Sequence, residues 1–292
     1  MSKEPLKFVI PKGSLEQATI DLFRRAGWTI NVSPRSYFPT VDDDEILLAR
    51  LRAQEVSRYV ESGSFDAGLT GKDWVLENES DVQVIDDLVY SKVSQSPARW
   101  VLAVDAESDY EKPEDLAGKR IATELVRFTK KFFAERGVPV DVEFSWGSTE
   151  AKVNEGIVDA IVDVTETGST LRANGLRIIH TLLTTNTQLI ANKASFEDPV
   201  KREKIEQIHL LLQAALEARK LVGLKMNVPK EHIEKVVSLL PSLNAPTVSG
   251  LYKSDWFAVE SVVSEEVVRT LIPKLLKAGA TGIIEYGLNK VI

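Results

Sequence analysis

Short β-branched runs alternate with amphipathic segments through the first 195 residues, and this alternation constrains the fold more than any other feature. Strand, helix and strand in repeated succession need crossover connections, which give α/β layers and largely parallel sheets. Strands are expected at Lys7–Ile10, Ile46–Leu51, Ala67–Thr70, Trp100–Val104, Arg120–Thr123, Val140–Phe144, Val158–Val164, Leu176–Leu182 and Gln188–Ala191. Helices fit between them at Ser14–Ala26, Glu55–Ser62, Lys72–Glu77, Val126–Arg136 and Thr149–Glu155. These elements are short, which suits two compact lobes better than one wide sheet. Polar Ser91–Arg99, holding Pro97, is the expected crossing into the second lobe, and Thr184–Thr187 the expected return. Asp198–Leu221 then reads as one helix, with Ile205, Ile208, Leu212, Ala215 and Leu216 at helical spacing.

The last 72 residues have a different grammar. A strand at Leu221–Val228, a helix at Lys230–Leu240, strands at Thr247–Leu251 and Trp256–Val262, a helix at Ser264–Ala278 and a strand at Thr281–Tyr286 give the order βαββαβ. That is the split βαβ, or ferredoxin-like, plan. Pro241–Pro246 and the caps Ser264 and Gly279 punctuate it. By fold-level analogy, small domains of this plan often bind effectors.

Composition removes several function classes. Without a single cysteine the chain has no disulfide, thiolate zinc site, iron–sulfur cluster or cysteine nucleophile, and it suits a reducing compartment. Phe8-Val9-Ile10 is too short for the apolar core of a signal peptide, and the long uncharged stretch Ile178–Asn192 is rich in Thr, Asn and Gln. The expectation is a cytoplasmic protein that spans no membrane. The net charge is −7, with −9 on residues 1–216 and +2 on residues 217–292. No basic run with interleaved aromatics is present, so no nucleic-acid partner is expected. Phosphates must be held locally, by backbone amides and a few placed cations. His180, His209 and His232 share no spacing and are expected to serve packing or the surface.

The most informative stretch runs from Val158 to Leu171. A buried-type strand ends near Asp163, a hydroxyl-rich loop with Gly168 follows, and then a helix begins. Several N–H groups and the positive end of a helix dipole meet there, which favours an anion. Gly168 allows close backbone approach, and Thr167, Ser169 and Thr170 can donate hydroxyl hydrogen bonds. A carboxylate at the strand's carboxyl end can hold ribose hydroxyls or a metal. The same pattern also suits a plain Ser/Thr-capped helix. Lys12-Gly13-Ser14 likewise follows a strand and opens a helix, as either a phosphate turn or an N-cap. Glu124 suits a ligand role or a stabilising acid on a helix's first turn.

Asp163-x-x-x-Thr167-Gly168-x-Thr170 resembles the phosphoribosyl-pyrophosphate loop of phosphoribosyltransferases, and Glu155–Leu176 resembles the signature of ATP phosphoribosyltransferase. Ile10–Leu15, Asp66–Asp73, Ile121–Glu124 and Gly147–Glu150 are similar to further segments of that family, so the resemblance spans the chain. The family's usual arginine after Lys-Gly is Ser14 here, a glutamate, Glu55, replaces its usual aspartate, and Ala151-Lys152 replaces its Ala-Pro. The resemblance implies a two-lobed, periplasmic-binding-protein-like catalytic body and a ferredoxin-like regulatory domain, the long form of the enzyme. Residues 1–95 and 185–216 would form one lobe, 96–184 the other, and 217–292 the regulatory domain.

The implied reaction joins ATP, through N1, to phosphoribosyl pyrophosphate and releases pyrophosphate, with Mg2+ as cofactor on ligands that the sequence does not identify. Asp163 would be catalytic, and Asp159, Asp163, Thr165, Glu166, Thr167, Gly168, Ser169 and Thr170 would bind phosphoribosyl pyrophosphate. Lys12, Gly13, Arg52, Gly71, Asp73 and Glu124 would bind ATP. L-histidine would act as feedback inhibitor at Thr247, Ser249 and Gly282, in a homo-oligomer (dimer and hexamer). Lys225 stands where some family members carry an acid. Two rivals are a two-lobed solute-binding protein, which turnover would exclude, and a non-catalytic amino-acid sensor, which activity of residues 1–216 alone would exclude.

Overall fold

The computed structural model describes residues 4–33, 37–90, 97–241, 243 and 245–292. In chain order the first elements are β1 (Leu6–Lys12), α1 (Glu16–Ala26), the short pair β2 (Ile30–Asn31) and β3 (Thr40–Val41), β4 (Ile46–Arg52), α2 (Ala53–Glu61), β5 (Ala67–Gly71), α3 (Lys72–Asn78) and β6 (Gln83–Leu88). There follow β7 (Ala98–Asp105), β8 (Arg120–Thr123), α4 (Val126–Ala134), β9 (Asp141–Phe144), α5 (Thr149–Asn154), β10 (Ala160–Thr165), α6 (Ser169–Ala173) and β11 (Leu176–Thr185). The chain continues through β12 (Thr187–Ala191), α7 (Lys193–Glu197) and α8 (Pro199–Ala218). It ends with β13 (Leu221–Pro229), α9 (Ile233–Val237), β14 (Thr247–Gly250), β15 (Trp256–Ser264), α10 (Glu265–Ala278) and β16 (Thr281–Gly287).

Packing divides the chain into two units, Met1–Asp21 with Trp28–His209, and Leu22–Gly27 with Leu210–Ile292. The first unit contains two α/β lobes built on five-stranded sheets, ordered β4-β1-β5-β12-β6 and β11-β7-β10-β8-β9. The sheets are mixed rather than largely parallel. β1 is parallel to β4 and β5, and β8 to β9 and β10, whereas β12 and β7 run against both of their neighbours. The reversal has a simple cause. Strands that belong to βαβ crossovers all end at the cleft between the lobes, but β7 and β12 begin there, because each opens just after the chain has crossed. The return crossing is short: β11 ends at Thr185 and β12 starts at Thr187. Residues 91–96 of the expected forward crossing, and Ser242 and Asn244 of the C-terminal linker, lie outside the described residues.

Each lobe is held by its apolar faces. One side of the second sheet buries Trp100, Leu102, Val104, Ile121, Phe133 and Val162, and the other buries Val101, Ala103, Ala122, Ile161 and Leu171. In the first lobe Val9, Val56, Val60 and Ile190 form such a cluster. β6 was not anticipated: Gln-Val-Ile-Asp-Asp-Leu lies at a sheet edge with only Leu88 fully buried, so it lacks the apolar run of an inner strand.

In the second unit β14-β15-β13-β16 form one antiparallel sheet, the strand order of the ferredoxin-like plan. Val222, Leu224, Met226 and Val228 alternate inward and pack with Val236, Leu271 and Leu275. The first helix of this plan is shorter than expected, with a 3₁₀ turn at Lys230–His232 followed by only Ile233–Val237. No helix among the described residues is long and apolar enough to cross a membrane.

Candidate active site

Three strands of the first lobe each deliver a different group to the cleft. β1 is buried from Phe8 to Ile10 and ends on Lys12, followed by Gly13 at φ +112°, a conformation that glycine adopts without strain. Gly13 N–H donates to Glu16 Oε2 at 3.3 Å, and Lys12 Nζ lies 4.5 Å from the Tyr37 ring centroid. β4 ends on Arg52. β5 ends on Gly71, where a Cβ would overlap the Asp73 carboxylate, so this turn requires glycine for close approach.

The second lobe supplies acids and hydroxyls. β8 leads to Glu124, and β10 leads through Thr165 into the Glu166–Gly168 turn. Thr165 Oγ1 accepts the Gly168 N–H at 2.8 Å, while Thr167 Oγ1 accepts the Ser169 N–H at 3.3 Å and donates to Ser169 Oγ at 3.0 Å. Gly168 has φ +73°, and a Cβ on it would stand 3.0 Å from Arg172 Nη1 and 3.1 Å from Ile178 Cδ1. The helix that follows, α6, has only five residues. Its dipole is therefore small, and an anion here depends on loop amides, hydroxyls and nearby Arg172.

Lys12, Gly13, Arg52, Gly71 and Asp73 line one cavity of about 610 Å³ together with Glu124, Thr165, Glu166, Thr167, Ser169 and Thr170. A second cavity of about 740 Å³, between α3, α4 and β11, contains none of the expected site residues. Asp163 and Gly168 are not among the residues that line this cavity but adjoin ones that are, Asp163 next to Val164 and Gly168 between Thr167 and Ser169. Asp159 is not brought to the cleft. It lies before the other end of β10, where it accepts the Arg120 N–H at 2.9 Å and pairs with Lys119 at 3.6 Å. Four residues of extended strand separate it from Asp163 by about 13 Å.

Three carboxyls in or beside the cleft are perturbed in the same direction. Burial pushes Asp163 up to about 6, with the Glu150 and Glu124 carboxylates adding repulsion, against a hydrogen bond from Val164 N–H at 2.7 Å. Burial also raises Glu124, which accepts from Gln54 Nε2 at 3.4 Å and faces the charge of Asp73. Asp73 is raised by burial although the Trp100 indole N–H donates to it at 2.7 Å. A cluster of perturbed acids in a cleft marks a candidate site. Among the described residues no three His, Cys, Asp or Glu side chains are close enough to hold a metal ion. The donors present suit Mg2+ bound mainly through substrate phosphates, with one or two carboxylates and water completing its shell.

Several participants were not visible in the sequence. Glu124 is not on a first helical turn, because it precedes Leu125, the N-cap residue of α4. The acid that serves that turn is Glu77 of the other lobe, which accepts the Arg127 and Phe128 N–H groups at 3.0 and 2.9 Å. Gln54 and Trp100 likewise act across the lobes, as Glu124 and Asp73 show. Arg172 could have been found, since it follows Gly168 by one helical turn. The histidines have ordinary surroundings: His180 lies against Phe132, His209 pairs with Asp86 at 2.7 Å, and His232 packs at Gly279.

In the C-terminal sheet Thr247 and Ser249 are exposed on β14, opposite Glu260 and Ala258 of β15. Gly282, at φ +55°, is the second residue of β16 on the opposite edge. Three strand spacings, about 14 Å, separate the two edges, so one chain does not bring Gly282 to Thr247 and Ser249.

A family model described as ATP phosphoribosyltransferase matches residues 52–214, and one described as the HisG C-terminal domain matches residues 218–290. An ATP phosphoribosyltransferase from Solidesulfovibrio magneticus is 66% identical over 98% of both chains, and one from Nitratidesulfovibrio vulgaris strain Hildenborough is 62% identical over 99% of both. Among solved structures, the ATP phosphoribosyl transferase (HisG:HisZ) complex from Thermotoga maritima contains a chain 30% identical, with a TM-score of 0.62, over 73% of this chain and 98% of that one. With both lobes and the C-terminal domain accounted for, the chain belongs to the ATP phosphoribosyltransferase family, pentosyltransferases of the first step of histidine biosynthesis.

Proposed function

We propose that the cleft between the two sheets condenses ATP with phosphoribosyl pyrophosphate, giving N1-(5-phospho-β-D-ribosyl)-ATP and pyrophosphate. One observation carries this reading: a single cavity is lined by cations from one lobe and by a phosphate-type turn with acids from the other. On this reading residues 1–95 with 185–216 and residues 96–184 are the two catalytic lobes, and residues 217–292 are regulatory.

The adenine N1 lone pair attacks the anomeric carbon, and the bond from that carbon to the pyrophosphate oxygen breaks. The nucleophile is a neutral ring nitrogen, so no strong base is needed. Positive charge develops on the ribosyl ring, and ionised Asp163 stabilises it while holding ribose hydroxyls. Thr165, Thr167, Ser169 and Thr170, with the Gly168 amide, grip the 5′-phosphate, and Glu166 completes that turn. Lys12, Gly13 and Arg52 face the polyphosphate side, with Gly71, Asp73 and Glu124 shaping the nucleotide pocket. Mg2+, when bound to the pyrophosphate, supplies charge neutralisation for the leaving group. Much of the rate comes from placing two anionic substrates in line between the walls.

Histidine acts as the feedback signal through Thr247 and Ser249. The cross-strand row Thr247, Glu260, Lys225 on their sheet face supplies both charges that a free amino acid needs. A product assay with both substrates and magnesium, run with and without histidine, tests the reading. Phosphoribosyl-ATP should form only with both substrates, and histidine should suppress it. Absence of product from folded protein would overturn the catalytic assignment, and product insensitive to histidine would overturn the regulatory one.

A further inference from the structure

Two large aromatic side chains stand unusually open where β9 leads into α5. Trp146 is 66% exposed and Phe144 60% exposed. Their rings meet edge to face, with centroids 6.5 Å apart at 86°. The Arg52 guanidinium, which lines the cleft from the opposite lobe, lies 5.8 Å from the Trp146 ring centroid, within reach of the negative ring face. The backbone fixes this presentation. Ser145 N–H donates to Thr123 O at 3.0 Å, and the Ser145 and Thr149 hydroxyls bond at 3.0 Å. Gly147 and Ser148 then both take left-handed conformations, at φ +71° and +49°. For Ser148 that conformation is uncommon and costly, so the turn is held against its local preference.

We propose that the Trp146 indole is the stacking platform for the adenine of ATP, with Arg52 beside it to meet the polyphosphate. This rests on the reading of the cleft as an ATP site, and it adds a base-recognising surface to a site otherwise built from charges and hydroxyls. A wide, rigid π face next to a cation is the arrangement that binds nucleotides through the base without reading its edge. Phe144 meets the indole edge to face and so holds its orientation. The platform belongs to the second lobe and Arg52 to the first, so a nucleotide bound to both bridges the lobes and brings its N1 toward the phosphoribosyl turn.

The test compares Trp146→Ala and Trp146→Phe with wild type in the full chain, using calorimetry with ATP, phosphoribosyl pyrophosphate and inorganic tripolyphosphate. Trp146 is exposed, so both variants keep the fold. Trp146→Ala should weaken ATP about 10-fold, and Trp146→Phe should restore most of that loss. Affinity for phosphoribosyl pyrophosphate and for tripolyphosphate, which carries the charge but no base, should stay within about twofold. Unchanged ATP affinity in Trp146→Ala overturns the platform. So does an equal loss for tripolyphosphate, which would mean that the indole acts only by placing Arg52. Wild-type protein that binds no ATP overturns the ATP reading of the cleft as well.

Discussion

Where the first sheet ends at the cleft in Lys12 and Arg52, the second ends in Glu124 and the hydroxyl-rich turn from Thr165 to Thr170. The two walls share a plan of strand ends feeding helix starts, yet they carry opposite chemistry. Each substrate has anionic phosphates, but only one has a ring on which positive charge must develop. Glu124 and Asp163 on one wall can serve that ring without crowding the polyphosphate of the other substrate, while Asp73, the acid of the first wall, is held by the Trp100 indole N–H. Cations grouped on the opposite wall can then neutralise the nucleotide. The division implies that damage to the hydroxyl-rich turn, or to the cations facing it, is felt mainly by one substrate.

The largest expected effect tests that division directly. At Gly168→Val a β-branched side chain must take φ +73° and push against Arg172 and Ile178. Phosphoribosyl pyrophosphate should bind at least about 100-fold more weakly, while ATP stays within about threefold. Arg52→Ala should do the reverse, weakening ATP about 10- to 100-fold through loss of a charge-assisted contact. Calorimetric titration of both substrates into both variants reads the cross. If each variant loses both substrates equally, the walls do not act separately and the comparison fails.

The same contrast explains what could be read from the sequence. The phosphate-type turn is contiguous, so Thr165 to Thr170 announce themselves through spacing, one glycine and a preceding apolar strand. The βαββαβ order of the C-terminal domain was legible for the same reason, since each element carries its own periodicity. What lay hidden was assembled from distant segments. Glu77 serves the start of α4 from the other lobe, and the Trp100 indole reaches back to Asp73. Neither pair leaves a local trace. Asp159 shows the converse error, because nearness in sequence to Asp163 becomes separation along an extended strand. Gly282 is likewise parted from Thr247 and Ser249 within one chain, since strand order, invisible in local pattern, sends β16 to the far edge.

Asp163 sharpens the comparison at the level of a single charge. Asp163→Asn keeps shape and one acceptor but removes the negative charge beside the ribose. Turnover should fall about 5- to 150-fold, as for loss of one or two charge-assisted hydrogen bonds, with both substrate affinities within about threefold. The pH dependence identifies the group. Wild-type turnover should rise as pH increases through about 6, where the buried carboxyl ionises, and the ratio of wild type to variant should shrink toward acid. A ratio constant from pH 5 to 8 would assign the charge to another residue.

The smallest effect is on stability, and its sign opposes that on activity. The Asp163 carboxyl is pushed up to about 6 in the folded chain, mainly by burial, from the 3.8 of an exposed aspartate. Between those values the native state holds a proton that the unfolded chain has released. Stability contributed by this group is therefore fully present below about pH 4, declines as pH rises to about 6, and stays lost above it. Two pKa units correspond to about 3 kcal/mol at most, and partial exposure reduces this to about 1–2 kcal/mol. Asp163→Asn, which never ionises, should thus be more stable than wild type at pH 8, melting about 2–6 °C higher without substrates, and equal to it near pH 4. Thermal denaturation at both pH values checks this, and a difference that does not change with pH would remove burial as the cause. On the second wall the chain thus retains a charge that weakens the fold where the transition state needs it. The first wall repeats the trade at Asp73, where burial also raises the carboxyl despite the Trp100 indole hydrogen bond, while its cations Lys12 and Arg52 line the cleft itself.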